Sequence, residues 1–492
     1  MLHVDDLRFS YPALEGMAAS SLFNGLSFSV ARGEQSALLG AADAGKSTLA
    51  RIVSGLVPRF TGGEIRGSVN VAGMDMRSTR PYDAVDTVGI IFQDPDEQII
   101  TTRCDVEVAF GLESLGVPRT EMEERIRSSL RLVGLEELRG RNPVTLSGGE
   151  KKRLLIACLA AVNPDLWVLD EIFQELDYSW RAALLRHLRA AGRTALFLDS
   201  RWSPLYGLWC RGIAALAAGV LASARRGDET AADGPLAQEG VVLSSSLLPP
   251  GFRPTDGGGT PCMKVQGLRF SFAGAGSFSL DVEELTINRG TITALVGPNS
   301  SGKSTMGRIL CGLLHPETGS ISLRNDGPFA RALPHALQGR VGYLFQNPDY
   351  QIFLPTVFEE LSFGLRNSGT GSAERTRRVE EAIERFRLPA GRTPPAVMSY
   401  GARRRLQAAT YFLLPRDLLI LDEIDSGLGY REILALLAAL HSESRGIVLV
   451  THDIDLARTV ASRVLVMDRG RIAEDLAPSG FGSLDSLAGV RE

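Results

Sequence analysis

Two stretches, GAADAGKST (residues 40–48) and GPNSSGKST (297–305), fit the pattern G-x-x-x-x-G-K-[ST]. Each follows a short apolar run and opens a helical pattern, the setting in which such a loop cradles phosphates. Gly40, Gly45, Gly297 and Gly302 let the backbone wrap the anion, and free N–H groups at the helix start bind its charge. Lys46 and Lys303 are then expected to reach the β- and γ-phosphates. Ser47 and Ser304 are expected to ligate Mg²⁺, with Thr48 and Thr305 completing each loop. A glycine-rich turn with a chance lysine explains one match, but not two in register.

Two further pairs carry acid–base chemistry. Asp170 and Asp422 each end an apolar run, LWVLD and LLILD, where a carboxylate can hold Mg²⁺. Glu171 and Glu423 come next, placed to polarise an attacking water. The stretch LSGGEKKR opens a basic helix with Ser147, Gly148, Gly149 and Glu150 in the pattern of a capping box. Its hydroxyl, free N–H groups and positive dipole end make it a second phosphate reader. The later stretch MSYGARRR keeps Ser399 and Gly401 but carries Tyr400 and Ala402 where the first has Gly148 and Glu150.

The elements that position these residues are also written twice. LRFSY (7–11) returns as LRFSF (268–272), and IFQDPDEQI (91–99) returns as LFQNPDYQI (344–352). Lys303 lies 257 residues after Lys46, Gln346 lies 253 after Gln93, and Asp422 lies 252 after Asp170. That period is too long for a solenoid and describes two whole domains in tandem. Short apolar runs alternating with helical patterns predict an α/β fold with a parallel sheet in each. The expected division is a first domain over 1–224, a Gly/Pro/Ser-rich linker over 225–262, a second domain over 263–480 and a tail over 481–492.

Composition narrows the class. Over 492 residues the net charge is −4, with basic and acidic side chains interspersed, so no stripe predicts nucleic-acid binding. Five scattered cysteines with no CxxC pair argue against a disulfide frame or zinc site and for a reducing compartment. No apolar run reaches the ~18 residues of a membrane-spanning helix. The chain is expected to be soluble or held at a membrane by partners.

With these motifs in this order, the chain resembles the nucleotide-binding subunits of ABC ATPases over nearly its whole length. The resemblance implies two tandem P-loop NTPase domains of ABC type. Each has a RecA-like core, an antiparallel β subdomain and a helical signature subdomain. It implies ATP and Mg²⁺ as ligands, and two ATPs sandwiched head to tail, each P-loop facing the other domain's signature helix. Gln93 and Gln346 match the Q-loop glutamine, which adjoins the metal and the attacking water. Tyr11 and Phe272 match the aromatic that stacks on adenine. Asp177 matches the D-loop aspartate, and His452 the switch histidine at the γ-phosphate. The segments FQDPDEQI and FQNPDYQI, with Gln98 and Gln351, are similar to those of energy-coupling factor (ECF) importers for vitamins and cobalt or nickel ions. That implies a transmembrane coupling protein and a substrate-binding membrane component as partners, and a peripheral place at the cytoplasmic face of the cell membrane. Two readings stay open beside it: the ATPase of another ABC transporter class, and a soluble ABC ATPase without a transport role.

Four positions depart from the family pattern. Ser200 stands 30 residues after Asp170, as His452 stands after Asp422. Tyr400, Ala402 and Gly429 replace Gly148, Glu150 and Asp177. Under head-to-tail pairing all four fall in the site built on the first P-loop. The expectation is a competent site on the second P-loop, with Glu423 as base, and a degenerate site on the first. Glu171 and the whole first P-loop survive, so the degenerate site is expected to bind ATP.

Overall fold

The structure is a computed structural model. It describes residues 1–478 except 13–20, 42–43, 175, 177, 218, 226–239, 244–246, 251, 253–258, 273–277, 325–326, 426 and 442–444. The chain divides into two compact units, Met1–Ser244 and Ser245–Glu492.

The first unit is built on a six-stranded sheet in the order Val220–Arg225, Gly212–Ala217, Gln35–Leu39, Thr194–Asp199, Leu166–Asp170 and Val88–Ile91. All neighbours pair in parallel except the edge strand Val220–Arg225. Its central strands are buried on both faces, which is why they read as unbroken apolar runs. Successive side chains alternate between faces. Leu38, Val168 and Leu198 join the core shared with an antiparallel sheet. Leu39, Trp167, Leu169 and Phe197 join the core shared with the helices.

That antiparallel sheet runs in the order Ser21–Val30, Leu2–Ser10, Glu64–Val71, Met74–Asp75. The helical part comprises Cys104–Ser114, Arg119–Leu132 and Gly148–Val162, packed through Val108, Leu112, Leu130 and Leu154. Part of the Gly/Pro/Ser-rich segment packs on this unit: Val241 is buried and its carbonyl accepts from the Trp202 amide at 2.9 Å.

The second unit repeats the plan. Its large sheet runs Val341–Leu344, Leu418–Asp422, Gly446–Val450, Ile292–Val296, Arg463–Asp468 and Arg471–Leu476. An antiparallel sheet contains Ser279–Arg289, Thr260–Ser271, Thr318–Arg324 and Phe329–Arg331. The helices Val357–Asn367, Ser372–Arg385 and Tyr400–Phe412 form the helical part. The chain thus has the tandem P-loop NTPase fold that its repeats predict. Among the described residues, no helix is long and apolar enough to cross a membrane.

In both units the parallel register aligns the carboxyl ends of three strands. Leu39 pairs with Asp199 and Asp170 with Leu198 in the first unit. Leu295 and Asp422 both pair with Val450 in the second. Phosphate loop, Asp-Glu pair and the residues after the third strand therefore converge at one sheet end, where open α/β sheets bind ligands.

Candidate functional site

Each phosphate loop turns into its helix through a left-handed glycine, Gly45 at φ 95° and Gly302 at φ 102°. A side chain there would also collide: a Cβ on Gly45 would lie 2.9 Å from the Phe23 ring, and one on Gly302 2.8 Å from the Phe278 ring. Gly40 and Gly297 are pressed against the Leu216 and Met467 carbonyls. The lysines curl back over their loops. Lys46 Nζ donates to the Gly40 and Ala41 carbonyls at 2.9 Å, and Lys303 Nζ to those of Gly297 and Pro298 at 3.0 and 2.9 Å. Burial lowers the Lys303 pKa, against the pull of Glu423 and Asp422.

The Asp-Glu pairs show whether a cation suits the sites. Both carboxylate oxygens of Asp170 are buried without a well-formed hydrogen bond. Burial raises its pKa, with Ser47, Lys46, Lys152 and Arg51 opposing. A buried, under-satisfied carboxylate beside a serine hydroxyl fits a hard divalent cation. In the second unit Ser304 Oγ donates to Asp422 Oδ1 at 2.9 Å, and Tyr343 OH donates to Oδ2. Ile90 occupies the place of Tyr343 in the first unit and offers Asp170 no hydroxyl. Among the described residues no three His, Cys, Asp or Glu side chains form a metal cage.

The two glutamates share a backbone conformation but not an environment. Glu171 and Glu423 both lie in the left-handed region, at φ 51° and 48°. Glu423 Oε1 is 2.8 Å from His452 Nε2, and its Oε2 accepts from Gln346 Nε2 at 2.8 Å. Burial pushes its pKa up, but His452, Lys303 and Arg404 outweigh it and the net shift is downward. The carboxylate is therefore ionised and held from two sides.

Glu171 is instead enclosed. Its Oε1 is 3.4 Å from Lys46 Nζ, with both side chains buried. Its Oε2 accepts from the Ser200 amide at 3.0 Å, from Ser200 Oγ at 3.2 Å and from Gln174 Nε2. Burial and the neighbouring Asp199 raise its pKa well above the usual range, with Lys46 opposing. Asp199 is buried and accepts from Tyr206 OH at 2.8 Å. Tyr206 stacks on Phe173 at 5.0 Å and meets the Trp202 edge. Gln93, which corresponds to Gln346, is not joined to Glu171 by a hydrogen bond.

Gln174, Asp199 and Tyr206 were not singled out by the sequence motifs. A residue-by-residue overlay of the two copies would find the first two, since Asp199 stands at the place of Thr451 and Gln174 at that of Ser426. Thr451 in the second unit bonds to Asp425 at 3.2 Å and leaves Glu423 to His452.

The signature stretches each open a helix. Ser147 caps Gly148–Val162 and completes a reciprocal capping box with Glu150. Ser399 caps Tyr400–Phe412 by accepting from the Ala402 amide at 3.2 Å, without a return bond. Gly149 and Gly401 are buried in the first turns. Asp177 lies outside the described residues. Gly429 donates its amide to Glu432 at 3.2 Å.

The remaining residues occupy the periphery. The Tyr11 and Thr48 hydroxyls lie 2.8 Å apart. Phe272 is exposed beside Phe270 and Phe278. Thr305 lies in the first turn of its phosphate-loop helix, half-buried. Gln98 and Gln351 turn inward. Gln98 accepts from the Phe92 amide at 2.7 Å and donates to the Ile90 carbonyl at 3.1 Å. Gln351 repeats this with Phe345 and Tyr343 at 3.1 and 2.8 Å. They staple the loops that carry Gln93 and Gln346.

Comparisons with known proteins agree with this geometry. The ABC transporter family model matches residues 23–174 and 280–426. A Methanosarcina acetivorans protein named "Putative ABC transporter ATP-binding protein" is 31% identical, over 96% of this chain and 85% of its own. The Bacillus subtilis "Putative HMP/thiamine import ATP-binding protein YkoD" is 29% identical, over 99% of this chain and 90% of its own. Among solved structures, "RNase-L Inhibitor" covers 96% of this chain and 90% of its own at a TM-score of 0.61, and at 18% identity it supports the fold alone. Two phosphate loops, two Asp-Glu strand ends and two capped signature helices, in chains so similar end to end, leave one assignment: this chain belongs to the ABC transporter family, as an ATP-binding protein with two ABC domains.

Proposed function

We propose that this chain is the fused ATPase of an ECF-type importer for a vitamin or transition-metal ion. It rests at the cytoplasmic face of the membrane against a coupling protein that works with a substrate-binding membrane component. No role for nucleic acid is assigned. The proposed organisation is two domains, 1–224 and 263–480, joined through 225–262 and followed by the tail 481–492. Support for the importer class comes from the paired FQDPDEQI and FQNPDYQI segments and from the thiamine-import name of the Bacillus subtilis relative. Exposed Ile100 and Phe110 in the first unit, and Phe353 and Phe363 in the second, offer apolar contact beside those segments.

Two ATP sites form head to tail. One takes its phosphates on Lys303, Ser304 and Thr305 and its γ-phosphate cap from Ser147, Gly148 and Gly149, with Asp177 alongside. The other takes Lys46, Ser47 and Thr48 with Ser399 and Gly401. Phe272 and Tyr11 would stack on the adenines. Mg²⁺, when bound by Ser304 with Asp422 and Gln346, or by Ser47 with Asp170 and Gln93, would supply charge neutralisation at the phosphates.

Turnover belongs to the site of Glu423. A general base must be ionised and held in a fixed orientation toward its water. Glu423 meets this with its pKa lowered and its two oxygens aligned by His452 and Gln346. Glu171 fails it, enclosed by Lys46, Ser200 and Gln174 with its pKa raised. That contrast carries the proposal. The first site binds ATP and holds the halves together, while hydrolysis at the second lets them reopen.

Steady-state phosphate release by the purified two-domain chain tests this. Glu423→Gln is expected to abolish turnover and Glu171→Gln to leave most of it. Equal losses from the two substitutions would overturn the two-site assignment.

A further inference from the structure

Tyr400 replaces a glycine at the first position of the second signature helix, and its hydroxyl is engaged within its own unit. It donates to the Gln346 carbonyl at 3.2 Å and accepts from Arg404 NH2 at 3.0 Å. Arg404, fully buried, also donates to the Phe345 carbonyl at 2.8 Å and to the Glu423 carbonyl at 3.3 Å. Its guanidinium lies 5.2 Å from the Tyr400 ring centre. The contacts close a circuit: Glu423 carboxylate to Gln346 amide, Gln346 carbonyl to Tyr400 hydroxyl, Tyr400 to Arg404, and Arg404 to the Glu423 carbonyl.

The first unit has the outer link without the inner one. Lys151 pairs with Asp96 at 2.6 Å, as Arg403 pairs with Asp349 at 2.9 Å. Lys152, at the place of Arg404, reaches the Glu171 carbonyl at 3.0 Å. Gly148 has no side chain with which to reach the loop of Gln93.

We propose that Tyr400 is a positioning residue for ATP hydrolysis, clasping the Gln346 loop to its own signature helix so that Gln346 stays aligned on Glu423. The inference rests on the reading of Glu423 as the working base. The change from glycine to tyrosine thus has two sides. It places bulk at a helix start meant to approach phosphate, and it fastens the catalytic loop of the site that turns over. Through the clasp, a displacement of Tyr400–Phe412 is carried to Gln346 by one hydrogen bond and a shared arginine.

The test is the full chain with Tyr400→Phe, which keeps the ring over Arg404 and removes only the hydroxyl. The expected result is a kcat lowered roughly three- to tenfold, the scale of one lost hydrogen bond, with KM for ATP unchanged. Adding Gln346→Ala should produce little further loss from Tyr400→Phe, because the two act on one alignment. Hydrogen exchange at the amides of 345–347 should quicken in Tyr400→Phe. Wild-type kcat and exchange would overturn the clasp, and so would a fully additive double variant. Glu423→Gln measured in parallel separates the two ideas. If it still hydrolyses ATP, the assignment of the base falls. If it is inert while Tyr400→Phe is normal, only the clasp falls.

Discussion

His452 Nε2 sits 2.8 Å from Glu423 Oε1, whereas Ser200, its counterpart, bonds Glu171 through both its amide and its hydroxyl. The histidine aligns a carboxylate from outside; the serine seals one in. His452→Ala is therefore expected to lower kcat by about a hundredfold, and Ser200→Ala to change it by less than about twofold. Steady-state phosphate release on both variants decides this, and comparable losses would contradict the asymmetry.

His187 supplies a pH prediction away from the phosphates. It packs near Trp167, its Nε2 is buried without a partner, and burial lowers its pKa from 6.5, aided by Arg193. The unfolded chain therefore takes up this proton more readily than the folded one. The stability carried by the neutral imidazole is present above pH 6.5 and lost as pH falls below it. His187→Gln should flatten the fall of the melting temperature as pH drops below 6.5. Parallel melting curves for the two proteins would rule this out.

Gly302 gives a stability prediction. Alanine there must adopt φ near 102° with its Cβ 2.8 Å from Phe278. Gly302→Ala should destabilise the second unit by about 1–3 kcal/mol. It should also weaken ATP binding, because the loop can no longer turn into its helix as built. Denaturant unfolding with and without nucleotide measures both effects.

Phe353 and Phe363 meet edge to face at 5.2 Å while remaining 66% and 37% exposed. Two aromatic rings left open to water are costly unless a partner covers them. If the chain docks on a membrane protein through these rings, as proposed, replacing both by serine should lower its recovery with the membrane fraction while its circular dichroism stays unchanged. Retention at wild-type levels would place the docking surface elsewhere.

Contiguous motifs made much of this site readable before any coordinates. The phosphate loops and Asp-Glu ends are short runs whose strand–loop–helix order fixes their chemistry, and the buried strands announced the parallel sheets. What escaped was contact between residues distant in the chain. Asp199 reads as an ordinary strand-end carboxylate, Gln174 belongs to no motif, and only the fold brings both onto Glu171. In the sequence Tyr400 stands only as one of four departures from the family pattern. That its hydroxyl turns back to Gln346 depends on a helix packing against a loop 54 residues earlier, which no local pattern records. Gln98 and Gln351 belong to the segments similar to those of ECF importers, but their inward stapling onto Phe92 and Phe345 depends on the backbone of the loop.

The left-handed backbone at Glu171 and Glu423 has a consequence for the design of both units. A residue with a Cβ held at φ near 50° costs of the order of 1 kcal/mol, and glycine would relieve it. Both units forgo that relief at the same strand end, although on the proposed reading only Glu423 works as a base. Glycine at 171 would relax the backbone but would take a buried carboxyl partner from Lys46, Ser200 and Gln174. The glutamate kept there gives up a relaxed backbone for a buried carboxyl that meets Lys46 at the mouth of its phosphate loop.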